Sequence, residues 1–170
     1  TDIYSSLTSL KFSKAHLKSW MRPSRRSSMF PLDLIGAKTE VRYRPYGSVG
    51  VVVPWNFPFN LCFAPLASIF AAGNSAVIKP SELTPKSSEL LNGLVDAYFS
   101  ENEVAVIGGG INVGKVFVRQ KFDHLLFTGS GKVAKGVMWA AADNLVPLTL
   151  ELGGKSPVII SSTADLGITA

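Results

Sequence analysis

Residues 49–58 of the chain read VGVVVPWNFP, which joins an apolar run to an isolated polar residue. The run 49–53 is apolar throughout, which is typical of a strand that is buried on both faces. Asn56 follows three residues later, among a tryptophan, two phenylalanines and two prolines. An unpaired carboxamide in such apolar surroundings costs about 1–3 kcal/mol. We therefore expect Asn56 either to serve a ligand or to turn the chain before Phe57.

Beyond residue 47, two kinds of segment alternate along the sequence. Short runs rich in Val, Ile and Leu recur, and most are separated by stretches of helical composition. Strands that are apolar throughout and alternate with helices indicate a parallel sheet covered on both faces. Right-handed crossovers then predict a doubly wound, mostly parallel, Rossmann-like α/β domain. The predicted strands are 49–53, 75–79, 103–107, 123–128, 146–151 and 157–161, and the predicted helices are 59–72, 84–100, 111–120 and 131–142.

Residues 1–38 are predicted to form a short N-terminal helical arm and a basic linker, in front of an α/β domain that spans 39–170. Apolar residues scattered among polar ones predict one moderately amphipathic helix over 1–20. The polar stretch 21–31 contains a proline and is interpreted as a linker. Polar and apolar residues alternate over 39–44, as in an exposed strand.

The net charge of +5 comes from the N-terminal segment. Residues 1–44 hold nine Lys and Arg against three acidic residues, most densely over 22–26. Basic tracts can bind phosphate backbones or direct a chain to an organelle, and the plainest interpretation is a solvated linker. Because no group of aromatic residues accompanies the tract, we expect no nucleic-acid partner.

Composition excludes several other classes of protein. The chain has 170 residues, of which 46% are hydrophobic and 17% charged, which is typical of a globular protein. No apolar run reaches the roughly 18 residues that a membrane span needs, so we expect no membrane association. The single cysteine, Cys62, excludes an internal disulfide framework and is typical of a reducing compartment, here the cytoplasm. Two histidines, His16 and His124, are too few to indicate a metal cluster.

Polar or glycine-rich segments follow five of the predicted strands. Ligands bind at the carboxyl ends of the strands in doubly wound sheets, and those ends share one edge. Several such segments at one edge therefore predict a nucleotide site. The segments are Pro54-Trp55-Asn56, Lys79-Pro80-Ser81-Glu82, Gly108-Gly109-Gly110, Thr128-Gly129-Ser130 and Glu151-Leu152-Gly153-Gly154.

Two glycine motifs allow a standard Rossmann interpretation. Residues 107–114 nearly match G-x-G-x-x-G, and residues 129–134 match the looser G-x-G-x-x-A form before a predicted helix. Glu151 lies 20 residues past Gly131, where that fingerprint expects an acid for the ribose. Such glycines also form simple tight turns. In either case, Ser130 and the amides beside it are placed to hold a pyrophosphate.

Four longer motifs lie one after another within residues 40–165. The chain contains PWNFPFN, AAGNSAVIKPSELTP, FDHLLFTGSGKVAKGVM and PLTLELGGKSP. In this order and spacing they closely resemble the aldehyde dehydrogenase superfamily. Two stretches, LTPKSSEL and MWAAADNLVPLTLELGGKSP, are most similar to its class 3 and coniferyl-aldehyde branch.

The resemblance assigns roles to individual residues. It implies that Asn56 belongs to an oxyanion hole in a water-poor crevice, and that Glu151 is the general base rather than a ribose ligand. It further implies that Lys79 and Glu82 bind the adenosine ribose, whereas without it they are a weak surface ion pair. A carboxylate there favours NAD, and the neighbouring Lys79 keeps NADP possible.

The same resemblance implies a longer set of residues along the cofactor groove. At Ala134 the sequence departs from the family, which usually has glycine there. One methyl group at a contact between helix and cofactor is expected to be tolerated. The further groove residues are Trp55, Gly109, Thr128, Gly129, Ser130, Val133, Leu152 and Gly153.

The catalytic cysteine of the family is missing from the sequence. In the family it follows the LELGGKSP motif in a separate catalytic domain, and no cysteine follows Glu151 here. Cys62 is expected to be inert core packing. We therefore expect an incomplete NAD(P)-binding domain that is inactive alone, from a dehydrogenase that acts on an aldehyde as a homodimer or higher oligomer. The alternative is a non-catalytic nucleotide-binding or interaction module.

Overall fold

The computed structural model of the chain describes residues 2–165. A 3₁₀ turn at Leu32–Ile35 accompanies the regular elements. The helices are α1 (Asp2–Trp20), α2 (Asn60–Ala71), α3 (Pro85–Tyr98), α4 (Ile111–Phe117) and α5 (Gly131–Ala142). The strands are β1 (Ser24–Arg26), β2 (Thr39–Val41), β3 (Ser48–Val52), β4 (Ser75–Lys79), β5 (Val104–Val106), β6 (His124–Gly129) and β7 (Leu148–Leu152).

Five of these strands form one parallel sheet in the order β5-β4-β3-β6-β7. In chain order, these are the third, second, first, fourth and fifth strands of the sheet. That is the Rossmann order, and it reverses between β3 and β6. The predicted doubly wound α/β fold is therefore confirmed.

The apolar runs form strands because both faces of the sheet are covered. Val51 of β3 and Ile78 of β4 are fully buried in a core that also contains residues of α2 and α3. On the other face, Leu125 and Phe127 of β6 pack with residues of α4 and α5. Continuous hydrophobicity in the central strands follows from this two-sided burial.

The predicted N-terminal helix is confirmed as α1, although its packing differs from the expectation. Its buried residues are Ser6 and Ser13, and Ser6 Oγ lies 3.4 Å from Asn60 Oδ1 of α2. Ile3 and Leu7 are exposed. Small serine side chains allow the two helices to approach closely, so α1 packs on α2 of the sheet domain. The division of the chain at residue 38 stays a prediction.

Two expectations for irregular and extended segments were wrong. The predicted linker 21–31 contains β1, which pairs antiparallel with β2 through Ser24 and Val41. Residues 157–161 form no strand, and Ile159 is 95% exposed. A β-branched run needs a hydrogen-bonded neighbour to become a strand, and the described residues place none beside it. None of the helices within residues 2–165 is both long and apolar enough to cross a membrane.

Candidate functional site

The segments that follow β3 and β6 and the end of β7 meet at one edge of the sheet. The register pairs Val52 with Phe127, and Thr128 with Glu151. Asn56 lies four residues beyond the end of β3. Because neighbouring strands lie about 4.8 Å apart, the ends of β3 and β7 are separated laterally by roughly 10 Å. Asn56 and Glu151 therefore follow strands that end at the same edge, where the strand order reverses.

A groove of about 660 Å³ opens at this edge, and we call it the main groove. Its walls come from the ends of β3, β4 and β6 and from the facing sides of α4 and α5. Of the predicted site residues, it brings together Lys79, Glu82, Thr128 and Val133.

Lys79 is the buried charge of the main groove. Its side chain is only 4% exposed, and its Nζ donates one hydrogen bond to the carbonyl of Pro80 at 2.6 Å. The carboxylate of Glu82 lies 3.9 Å away, too far for a hydrogen bond. An ammonium has three donors, so two of them have no acceptor among the described residues. Ligand hydroxyls would satisfy them, which means that a ribose fits this donor set.

Burial also changes the acidity of Lys79. Loss of hydration lowers the pKa of the Lys79 ammonium, and the nearby Glu82 carboxylate partly opposes this effect. The interpretation of this pair as a surface ion pair does not fit, because Lys79 is buried while Glu82 is partly exposed.

Gly109 lies beside the main groove, in a smaller groove of about 520 Å³ that Glu82 also lines. Its φ of +130° is a conformation that side chains disfavour. A Cβ there would come within 2.6 Å of Val113, the residue that replaces the last glycine of the near-match motif. A glycine is therefore required by the backbone at this turn.

The turn between β6 and α5 contains the G-x-G-x-x-A motif. Ser130 is the N-cap of α5, and its Oγ accepts a hydrogen bond from the amide of Val133 at 3.3 Å. A Cβ on Gly129 would meet the Phe127 ring at 2.7 Å, whereas a Cβ on Gly131 would face open space. The first turn of α5 is thus open to a ligand.

This motif follows the fourth strand of the sheet, whereas the standard fingerprint follows the first strand. The standard Rossmann interpretation, with Glu151 as its ribose acid, therefore does not match the topology. Ala134, where the family usually has glycine, is buried in the core beneath α5, away from the main groove.

Asn56 and Trp55 occupy an exposed loop, which corrects one expectation. Trp55 is 60% exposed and Asn56 is also exposed. Within residues 2–165, the Asn56 carboxamide has no hydrogen-bond partner. No element within residues 2–165 covers the loop, so these residues do not enclose Asn56 in the water-poor crevice that the resemblance implies.

Glu151 and the two residues after it lie at the exposed end of β7. Leu148 and Leu150 pack against the core beneath α5, so the alternating Glu151 points to the opposite face. That face of β7 has no described element over it. Leu152 and Gly153 are exposed beside it.

Cys62 is fully buried in α2, as expected for core packing. Burial raises the pKa of the Cys62 thiol to about 12, because a thiolate would lose its hydration. A buried thiol of this kind is neither ionised nor accessible to an aldehyde at neutral pH.

Some residues of the site were not identified from the sequence. Lys115 of α4, Arg119 two residues past the end of that helix and Lys132 of α5 line the main groove. Two of them could have been identified from the sequence, because Lys115 and Arg119 are four residues apart and share one face of the predicted helix 111–120. Within residues 2–165, no group of three or more His, Cys, Asp or Glu side chains could hold a metal ion.

Comparison with known proteins identifies the family. The profile of the aldehyde dehydrogenase family matches residues 2–170. The chain is 55% identical over 169 residues to a coniferyl aldehyde dehydrogenase of Pseudomonas sp., an alignment that covers 99% of this chain and 34% of that protein. The chain thus spans about a third of the length of the curated relatives it matches.

Solved structures agree with the sequence comparison. Substrate-bound AldH of Staphylococcus aureus superposes with a TM-score of 0.88 at 44% identity, over 96% of this chain and 35% of that one. The NAD⁺ complex of an aldehyde dehydrogenase from Bacillus cereus gives a TM-score of 0.81 at 30% identity, over 98% and 33%. The predicted resemblance, including the coniferyl-aldehyde branch, is confirmed, and the chain belongs to the aldehyde dehydrogenase family.

Proposed function

We propose that an enzyme containing this chain oxidises an aldehyde to a carboxylic acid with NAD(P), and that residues 39–170 form most of its cofactor domain. The observation that supports this most is the common edge of Asn56, Glu151 and the main groove. In the proposal, one dinucleotide extends from this groove along the shared edge to the amide donor and the carboxylate. Because 55% identity links the chain to a coniferyl aldehyde dehydrogenase, an aromatic aldehyde is the first substrate to assay.

The cofactor, when bound, accepts the hydride of the aldehyde. In the proposal, Lys79 and Glu82 bind the adenosine ribose, and the first amides of α5 beside Ser130 bind the pyrophosphate. The spare donors of Lys79 and the open space at Gly131 support this arrangement. The remaining contacts are assigned to Trp55, Gly109, Thr128, Gly129, Val133, Leu152 and Gly153.

We propose NAD as the main cofactor, with NADP also accepted. The Glu82 carboxylate favours free ribose hydroxyls and repels a 2′-phosphate. The main groove also carries Lys79, Lys115, Arg119 and Lys132, whose positive charges offset this repulsion. Glu82→Gln should weaken NAD binding and strengthen NADP binding, which isothermal titration with each nucleotide would measure. An unchanged ratio of the two affinities would contradict the role of Glu82.

Asn56 is proposed to donate a hydrogen bond to the oxygen that becomes negative when a thiolate attacks the aldehyde carbonyl. Removing one such donor typically lowers kcat by about 10²–10³-fold. Exposure of the Asn56 loop in this chain implies that another part of the enzyme covers it, because the interaction strengthens when water is excluded.

Glu151 is proposed to take a proton from the water that releases the acid. Its place on the uncovered face of β7 supports this role, because a water molecule can reach the carboxylate. The nucleophile is proposed to come from a cysteine outside this chain, since Cys62 is buried. The isolated chain should therefore bind nucleotide without oxidising aldehydes.

Two variants of the full-length enzyme test these roles. Asn56→Ala should lower kcat strongly while the NAD dissociation constant stays within about twofold. Glu151→Gln should allow a first burst of NADH and then slow acid release, which stopped-flow absorbance would resolve. A large loss of NAD affinity in Glu151→Gln, with normal acid release, would restore the ribose role of Glu151.

A non-catalytic nucleotide-binding module is the second candidate function. The chain itself supplies the Lys79 donors that a nucleotide can use, whereas its cysteine, Cys62, is buried and cannot act as a nucleophile. This contrast favours nucleotide binding without catalysis. Steady NADH production by the pure 170-residue chain would exclude this candidate and would also contradict the proposed inactivity of the chain. Homo-oligomer formation and a cytoplasmic location are proposed from the family resemblance and from the single, reduced cysteine.

A further inference from the structure

Helix α2 begins without a cap from its own sequence. Its N-cap residue is Phe59, whose side chain makes no capping hydrogen bond. The first amides of a helix need acceptors from elsewhere, and an aromatic residue supplies none. This helix matters for the site because Asn56 lies four residues before its start.

The missing acceptors come from Asp2, at the start of α1. One carboxylate oxygen accepts a hydrogen bond from the amide of Asn60 at 2.6 Å. The other accepts a longer one from the amide of Phe59 at 3.4 Å. Ser6, one turn along α1, adds a contact of 3.4 Å between its hydroxyl and the Asn60 side chain. The N-terminal helix thus fixes the first turn of α2 across a separation of 58 residues.

The first turn of α2 also binds Phe57, the residue next to Asn56. The carbonyl of Phe57 accepts a hydrogen bond from the amide of Leu61 at 3.0 Å. The carbonyl of Phe59 accepts hydrogen bonds from the amides of Cys62 at 3.2 Å and Phe63 at 2.8 Å, which close the same turn. The backbone that carries Asn56 is therefore tied to the turn that the Asp2 carboxylate caps, while the Asn56 side chain itself has no partner among the described residues.

We propose that Asp2 is a positioning residue for Asn56, which it holds in place through the first turn of α2. This rests on the proposed role of Asn56 as an oxyanion donor. A donor acts only when it is held where charge develops, and a displacement of about 1 Å can cost up to about 100-fold in rate. Asp2 belongs to a helix that contributes no residue to the main groove, so its effect must pass through α2.

The carboxylate has a second consequence for ligand binding. It occupies the positive end of the α2 dipole, where a phosphate would otherwise be attracted. A carboxylate in this position should repel a cofactor pyrophosphate from the start of α2.

The test compares variants of the full-length enzyme. Asp2→Ala should lower kcat by about 10- to 100-fold, while the NAD dissociation constant stays within about twofold. Asp2→Glu should recover part of kcat, because a carboxylate can still reach the two amides. Asp33→Ala is the matched control, since Asp33 also accepts an amide hydrogen bond, from Leu34 at 3.0 Å, in an exposed turn. It should leave kcat unchanged.

A spectroscopic measurement on the 170-residue chain separates positioning from general stability. Asp2→Ala should raise the hydrogen-exchange rates of the Phe59 and Asn60 amides and shift the Asn56 side-chain amide resonance. Amides in β4 and β6 should exchange as in the wild type. Uniformly faster exchange would show global destabilisation and would overturn the proposal. If Asp2→Ala does not fold, Asp2→Asn replaces it, with the same local changes expected at smaller size.

The kinetic outcomes distinguish this proposal from the function on which it rests. A large kcat loss in Asn56→Ala with wild-type kcat in Asp2→Ala would overturn only the role of Asp2. Wild-type kcat in Asn56→Ala would overturn the oxyanion role, and the positioning role with it. Parallel kcat losses in both variants, with NAD affinity retained, would support the proposal.

Discussion

Helices α2 and α5 begin at the same edge of the sheet, after the neighbouring strands β3 and β6, yet their first turns differ. The first turn of α2 is closed, because the Asp2 carboxylate accepts hydrogen bonds from its amides. Among residues 2–165, the first turn of α5 has only the Ser130 hydroxyl as its cap, and Gly131 leaves open space in front of it. One helix start is filled by an anion from the protein itself, and the other can accept an anion from a ligand.

The difference shows that a sheet in Rossmann order can offer a helix other than the first one to the pyrophosphate. In the standard arrangement, the pyrophosphate sits at the helix that follows the first strand. Here that helix is α2, which an internal carboxylate already caps. The phosphate site is consequently proposed for α5, after the fourth strand, and the loop after the first strand is free to present Asn56.

The largest effect on NAD affinity is expected from a negative charge at the open helix start. Gly131→Glu should weaken NAD binding by about 10- to 100-fold, because the new carboxylate repels the pyrophosphate at close range. The fold should tolerate it, since a Cβ there meets no atom within 4 Å, and an acid at a helix N-terminus is slightly stabilising. Calorimetric titration gives the affinity, and thermal unfolding gives the stability.

Gly131→Gln is the matched control for that variant. It has nearly the same shape without the charge, so it should bind NAD much more tightly than Gly131→Glu does. Equal affinities for the two variants would mean that the pyrophosphate does not lie at α5, and the comparison between the helices would lose its functional meaning.

A smaller effect is expected at the ribose end of the main groove. Lys79→Met removes the buried ammonium and retains most of the apolar stem. NAD affinity should fall by about 10-fold, the usual scale for one charge-assisted hydrogen bond. Lys121→Met, at an exposed lysine that lines neither groove, should leave the affinity unchanged. Wild-type affinity in Lys79→Met would remove Lys79 from the cofactor site.

The pH dependence of NAD binding follows from the same lysine. Because burial lowers the pKa of Lys79, its positive charge and one of its three N–H donors should be lost at a lower pH than in an ordinary lysine, whose pKa is about 10.4. NAD affinity should therefore decline as pH rises through this lowered pKa.

Folding stability should respond to Lys79 in the opposite direction. Between the lowered pKa of the folded state and that of the unfolded state, the unfolded chain binds more protons, so stability rises with pH there. Lys79→Met should remove both dependences, which binding and unfolding measurements across alkaline pH would detect. A persistent decline of NAD affinity in this variant would assign the titration to another group.

The smallest effect is expected within α5 itself. Ala134→Gly restores the residue usual in the family and should destabilise the fold by about 1 kcal/mol, since glycine is a poor helix residue. Because the Ala134 methyl is buried in the core instead of facing the main groove, NAD affinity should not change. A clear gain in affinity would show that the methyl restricts the cofactor.

The sequence predicted the sheet well because hydrophobic runs report two-sided burial directly. Strand 75–79 and helix 131–142 have the predicted limits, and the shared edge of Asn56 and Glu151 followed from the rule for parallel strands. The failure at 157–161 has a physical origin. Composition indicates that a segment suits a strand, whereas a neighbouring strand decides whether it becomes one.

Features of the site that depend on contacts between residues far apart in the sequence could not be predicted. Nothing in the local sequence connects Asp2 with the amides of Phe59 and Asn60, because the link exists only once α1 packs on α2. The exposure of Asn56 was equally hidden, since its apolar neighbours suggested burial that this chain alone does not provide.

The most direct test of the account is an NAD titration of the ¹⁵N-labelled 170-residue chain, followed by backbone amide shifts. The account predicts saturable shifts at the start of α5, in Gly131, Lys132 and Val133, together with Lys79, and none at Phe59 or Asn60. Shifts at the start of α2, with the α5 amides unmoved, would contradict it.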